Sequence, residues 1–169
     1  MKFRMLALGG FALMLTASTP LRADDRATAV TPSLVGTWTL SAADDLRADG
    51  TRVPAYGTGP KGILFLGADG RYSVQIYRAT RPRFASGDKR RGTADEYRDA
   101  TIGVSAHFGR YAVDPVAKTI TFRIECASFP NWDGAEQKRP YTVDGDELSW
   151  RVPATPDGTI PISVWRRAR

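Results

Sequence analysis

With 169 residues, 42% of them hydrophobic, the chain has the length of one domain with a sizeable core rather than of several. Its single cysteine, Cys126, excludes an internal disulfide, and one cysteine with one histidine, His107, is too few for the usual zinc ligand sets. The formal charge of +6 overstates any case for nucleic acid, because part of it sits in an N-terminal segment expected to be removed.

That segment, residues 1–23, opens with the cations Lys2 and Arg4, runs apolar from Met5 through Leu15 and ends on Leu21-Arg22-Ala23. The pattern is that of a secretory signal peptide cleaved near Ala23, and its apolar run is well short of the ~20 residues needed to cross a bilayer. No cysteine near the cut offers a lipid attachment point. Cleavage removes Lys2, Arg4 and Arg22, so Lys+Arg falls from 24 to 21 while Asp+Glu stays at 18, and the net charge drops from +6 to +3. The expectation is a soluble periplasmic or secreted protein, not an integral membrane protein, with no nucleic-acid partner. Residues 24–32 then form a polar lead-in, and residues 33–169 the domain.

Within that domain, short runs rich in β-branched and aromatic residues recur between Asp, Gly and Pro turns, which predicts an all-β fold. The predicted strands are Leu34–Ser41, Gly62–Leu66, Arg71–Tyr77, His107–Val113, Thr119–Ala127, Lys138–Val143, Glu147–Val152 and Thr159–Arg166. Gly67-Ala68-Asp69-Gly70, Asp114-Pro115-Val116-Ala117 and Asp144-Gly145-Asp146 carry tight-turn chemistry, so neighbouring strands are expected to be antiparallel. One segment interrupts the meander. Thr93-Ala94-Asp95-Glu96 fits a capping box, and Tyr97, Ala100 or Thr101, Val104 and Phe108 keep helical spacing. A helix is therefore predicted between the third and fourth strands, stopping near Ser105. About eight antiparallel strands favour a closed barrel, which leaves no exposed edge and can enclose one small ligand; a β-sandwich is the alternative.

Leu34-Val35-Gly36-Thr37-Trp38-Thr39-Leu40 resembles the Gly-x-Trp opening strand of lipocalin-type barrels, and Val164-Trp165-Arg166-Arg167 resembles their closing strand. Further matching stretches lie at Ala48–Gly57, Pro60–Leu64, Gly70–Arg78, Ala106–Tyr111 and Ser128–Gly134, continuing through Gln137-Lys138-Arg139. As an ordered set, from about Ser33 to Arg167, they resemble the bacterial and fungal lipocalin-like domain family. The resemblance implies an eight-stranded lipocalin-like barrel with Trp38 plugging one end beneath Arg166 or Arg167. It implies no particular ligand and no catalytic signature. Cys126 stands where small residues are usual.

On the strand Thr119–Ala127, Arg123 and Glu125 project from the face opposite Ile120, Phe122, Ile124 and Cys126. Facing solvent, they are an ordinary surface ion pair; facing the interior, they form a site, because buried charges need partners or a ligand. His107 is the sole group with an unperturbed pKa near neutrality, and the plainer reading is a hydrogen-bonded residue at a strand start. Phe129 and Trp132 either pack a connection or line a pocket mouth. Arg78, Arg81, Arg83, Lys89, Arg90 and Arg91 crowd one loop with Phe84. That loop is either a solvated surface or a rim that attracts anionic ligands and anionic lipid surfaces.

The candidate ligand-binding set is thus Tyr77, His107, Arg123, Glu125, Phe129 and Trp132, with no residue assigned to a metal and no cofactor expected. The leading functional expectation is binding of a small apolar or amphipathic molecule, anionic ones included, in the barrel. One rival is an isomerase or cyclase using His107 or Glu125 for proton transfer and Arg123 for an oxyanion. The other is an envelope interaction module with a packed barrel.

Overall fold

The computed structural model describes residues 33–169. The segments read as signal peptide and polar lead-in lie outside them. Nine strands are present among the described residues: β1 (Gly36–Leu46), β2 (Arg52–Pro54), β3 (Lys61–Leu66), β4 (Arg71–Tyr77), β5 (Val104–Asp114), β6 (Thr119–Ala127), β7 (Glu136–Asp144), β8 (Glu147–Arg151) and β9 (Ile160–Arg167). All pair antiparallel in the order β2-β1-β3-β4-β5-β6-β7-β8-β9. A further β1–β9 ladder, from Trp38 opposite Arg167 to Leu46 opposite Ile160, closes eight of the strands into a barrel and excludes a sandwich.

The predicted helix exists, but its place differs: α1 (Ala94–Ile102) lies between the fourth and fifth strands, not the third and fourth. The reason is β2, three residues paired to the far end of β1, which is too short to show any alternation in sequence. The capping box at its start is complete, with Thr93 Oγ1 accepting from the Glu96 amide at 3.2 Å and Glu96 Oε2 from the Thr93 amide at 2.7 Å. Its end is earlier than expected. Gly103 donates its amide to Asp99 at 2.9 Å, and Val104 already belongs to β5.

Alternation along the strands sends one side-chain set inward. On β4, Tyr72, Val74 and Ile76 are buried while Arg71, Ser73, Gln75 and Tyr77 face out. The inward residues nearest the three tight hairpins form the core, where Trp38, Trp150, Trp165, Phe122, Leu64, Leu66, Ile120 and Leu148 are all but completely buried. Arg167 lies 4.2 Å above the Trp38 ring and donates to the carbonyls of Val35 and Ser33 at 3.0 and 2.7 Å. That arginine caps the tryptophan plug and ties down the chain before β1. The hairpins are held locally: Asp69 Oδ1 accepts from the Arg71 amide, and Asp114 Oδ1 accepts from the amides of Val116 and Ala117. The longer connections, including α1 and the short 3-10 turn Pro130–Trp132, gather at the opposite end, where the barrel stays open.

Candidate functional site

The open end holds a cavity of about 690 Å³. Ala43 of β1, Val74 and Ile76 of β4, and Ile162 of β9 supply apolar wall, and Ile102 and Trp132 come from the connections. Asp45, Tyr56, Arg78 and Thr155 are also among the lining residues. Asp45 has its carboxyl pKa raised by partial burial and by neighbouring Asp157. Tyr56 likewise has its phenol pushed up by burial.

The polar floor is built by β5 and β7. Arg139, on the inward phase of β7 between Gln137 and Tyr141, is 5% exposed and lines the cavity. Its guanidinium stacks over the rings of Phe122 and Trp150 at 4.7 and 5.5 Å. Nη2 donates to Gln137 Oε1 at 2.6 Å and faces His107 Nε2 at 3.2 Å. An arginine can only donate, so Nε2 must be the unprotonated nitrogen of His107. Its Nδ1 then carries the hydrogen and donates to Tyr72 Oη at 2.8 Å. Burial, reinforced by the adjacent guanidinium, pulls the His107 pKa down to about 3, so the imidazole is neutral at physiological pH. Burial also raises the Tyr72 phenol and lowers the Arg139 guanidinium to about 10, which still leaves Arg139 charged at neutrality. None of the ion pairs among the described residues involves Arg139.

Of the six residues proposed from sequence, the structure brings two to this cavity, His107 and Trp132, with ring centroids 6.2 Å apart and planes nearly perpendicular. Phe129 packs edge-on against Trp132 at 5.5 Å but is half-exposed and outside the lining. Tyr77 faces outward, donating to Gln75 Oε1 at 3.1 Å beneath the Arg81 guanidinium. Arg123 and Glu125 also lie on the outer face, where Arg123 pairs with Glu136 and Glu125 with Arg71, both at 2.9 Å between exposed side chains. The inward orientation that would have made them a site is ruled out by the strand's alternation. The bulge opposite Gly109 adds one residue after that point: Gly109 pairs with Ile124 and Phe108 with Cys126. A side chain at Gly109 would collide with the Arg123 carbonyl, so the strands approach this closely only with glycine there.

Sequence reasoning passed over Arg139, Tyr72 and Gln137. The available signal was phase: Gln137, Arg139, Tyr141 and Val143 alternate along one face of a strand, so an arginine occupies a position that apolar neighbours mark as interior. The basic loop is more ordered than its composition suggests. Phe84 packs edge-on against Tyr97 at 5.4 Å, and Glu96 Oε1 accepts from the Ala85 amide at 2.7 Å. Only Arg78 of its cations lines the cavity. No described helix is long and apolar enough to cross a membrane, and no group of three or more His, Cys, Asp or Glu residues suited to a metal ion occurs among the described residues.

A curated relative, the 4'-hydroxy-3'-methoxypropiophenone carrier protein of Aspergillus oryzae, is 30% identical over 105 residues, spanning 56% of this chain and 95% of its own. Crystal structures of two variants of the fluorescent protein UnaG align at 17% and 16% identity with TM-scores of 0.35 and 0.34, over 80% of this chain and 96% of theirs. The profile of the lipocalin-like domain matches residues 35–168, and the chain belongs to that family.

Proposed function

We propose that the protein takes up and holds a small, largely apolar molecule in the cavity at the open end of its barrel. The observation that carries this reading is the cavity: about 690 Å³ of space in a barrel whose other end is filled by tryptophans. Small-molecule sites typically measure roughly 300–1,000 Å³ and combine apolar walls with a few placed polar groups, which is the composition found here. The Aspergillus relative, named for carriage of an oxygen-bearing aromatic ketone, supports a ligand of similar size and chemistry.

Both rival readings lose their footing at the same place. A packed interaction module has no need of a cavity this large. The acid–base reading rested on His107 and Glu125, of which the first is held neutral by burial beside Arg139 and the second sits outside the barrel. Export is part of the proposal, on the charged start, apolar run and Ala23 of the N-terminal segment. N-terminal sequencing of protein from the envelope or medium should begin near Asp24, and a chain still starting at Met1 would defeat that part.

The ligand reading is tested by native mass spectrometry of protein purified from its own host. A bound small molecule is expected in the wild type and should be absent from Ala43→Phe, which places a ring in the cavity wall. If the two proteins retain the same molecules, or the wild type retains none and takes up no apolar probe, the cavity is not a ligand site.

A further inference from the structure

Resting on the reading of the cavity as a ligand site, we infer that its ligand carries an acidic group, bound as the anion against Arg139 at the cavity floor. Arg139 has five N–H donors in a fixed fork. Two are spent through Nη2 on Gln137 and His107, and the buried Nε has no protein acceptor. The rings of Phe122 and Trp150 lie beneath the guanidinium, which eases the burial of its charge but supplies no acceptor for its remaining N–H groups. A buried cation is costly without a counter-charge. The acidic residues of the lining do not supply one: Glu136 pairs with Arg123, Asp44 pairs with Arg52, and no ion pair joins Asp45 to Arg139.

The surrounding bonds fix where that donor edge points. Gln137 holds Nη2 from one side, and His107, itself held by Tyr72, presents a lone pair from the other. Gln137, His107 and Tyr72 are neutral, so within this hydrogen-bonded group the charge is that of Arg139 alone. A carboxylate, sulfonate or ionised phenol would meet both the charge and the open donors, while its apolar body lay along Val74, Ile76 and Trp132.

The test uses two fluorescent probes that differ by one charged group, anilinonaphthalene sulfonate and N-phenylnaphthylamine. The wild type should bind the sulfonate at least about tenfold more tightly than the neutral amine, the scale of one charge-assisted hydrogen bond. That preference should persist at about 0.5 M NaCl, because salt screens exposed cations far more than buried ones. Arg139→Met should erase the preference while keeping the affinity for N-phenylnaphthylamine, and Arg81→Gln with Arg83→Gln should leave it intact. The wild-type comparison across salt stands even where Arg139→Met fails to fold.

Equal affinities in the wild type, a preference abolished by salt, or one that survives Arg139→Met would each overturn the inference while leaving an apolar ligand site in place. Binding of neither probe would instead bring down the ligand reading and this inference with it.

Discussion

His107 illustrates how a residue's neighbours decide its chemistry. Its sequence position offered the one side chain with a pKa near neutrality, yet burial and the adjacent Arg139 guanidinium both oppose its protonation. Adding a proton to Nε2 would set an N–H against the N–H of Arg139. The folded pKa of about 3 lies below the unfolded value near 6.5, so the unfolded chain takes up the proton first as pH falls. The neutral imidazole's contribution to stability is therefore complete above pH 6.5 and is lost progressively from there down to about 3. Each further unit of pH in that window costs up to about 1.4 kcal/mol. His107→Gln, which can still accept from Arg139 and donate to Tyr72, should flatten this part of the profile. Urea denaturation of both proteins at pH 7, 5 and 4 isolates the difference, since the carboxylates titrate alike in each. Identical slopes would mean that His107 is protonated without penalty in the folded state.

At the scale of elements, the start of α1 and its end were unequally legible. A capping box is a local hydrogen-bond pattern with a four-residue signature, and the structure realises it at Thr93 and Glu96. The helix end depends on which partner Val104 to Phe108 finds, and their spacing suits a helix face as well as a strand. The ladder to β4, with Tyr77 opposite Val104, decides for the strand. The same kind of information was missing for the site. Which face of β6 looks inward is a property of barrel closure, and sequence alternation alone left Arg123 and Glu125 equally able to face either way. Turns, strands and the Trp38–Arg167 plug were readable because each is set by local residue chemistry or by the family pattern. Arg139 was not singled out: its phase with Tyr141 and Val143 marks an inward position, but only the closed barrel brings it beside His107. The helix itself should be the least stable element: it buries none of its residues and, at nine residues, is shorter than the ~12–15 an isolated helix needs to be even marginal. Thr93→Ala should accordingly speed amide hydrogen exchange across residues 94–102 by about tenfold, with little change in global unfolding. A global loss as large as the local one would mean that α1 is part of the barrel's cooperative core.

For the molecule as a whole, the barrel divides its tasks along its axis. Tight hairpins and tryptophans close one end, while long connections and an incompletely answered arginine occupy the other. Stability and binding should therefore respond to different residues. Trp38 is fully buried, donates Nε1 to Leu34 at 3.0 Å and lies under Arg167, but it does not line the cavity. Trp38→Ala should cost about 3–5 kcal/mol, the usual range for emptying a buried aromatic site, because the surrounding strands cannot collapse around so large a void. Among molecules that remain folded, affinity for N-phenylnaphthylamine should stay within about twofold of wild type, the spread expected for sites that share no partner. Arg139→Met should show the reverse: a changed ligand preference with a smaller loss of stability than Trp38→Ala, since relief of the buried charge offsets the acceptors left open on Gln137 and His107. Chemical denaturation and probe titration on the same preparations compare the two, and Trp38→Phe serves where the alanine variant does not fold. A Trp38→Ala loss under about 1 kcal/mol would mean that the plug is not the structural end. Probe affinity falling in step with stability in the folded Trp38 variants would mean that the two ends act as one unit, because the core then transmits its packing directly to the cavity wall.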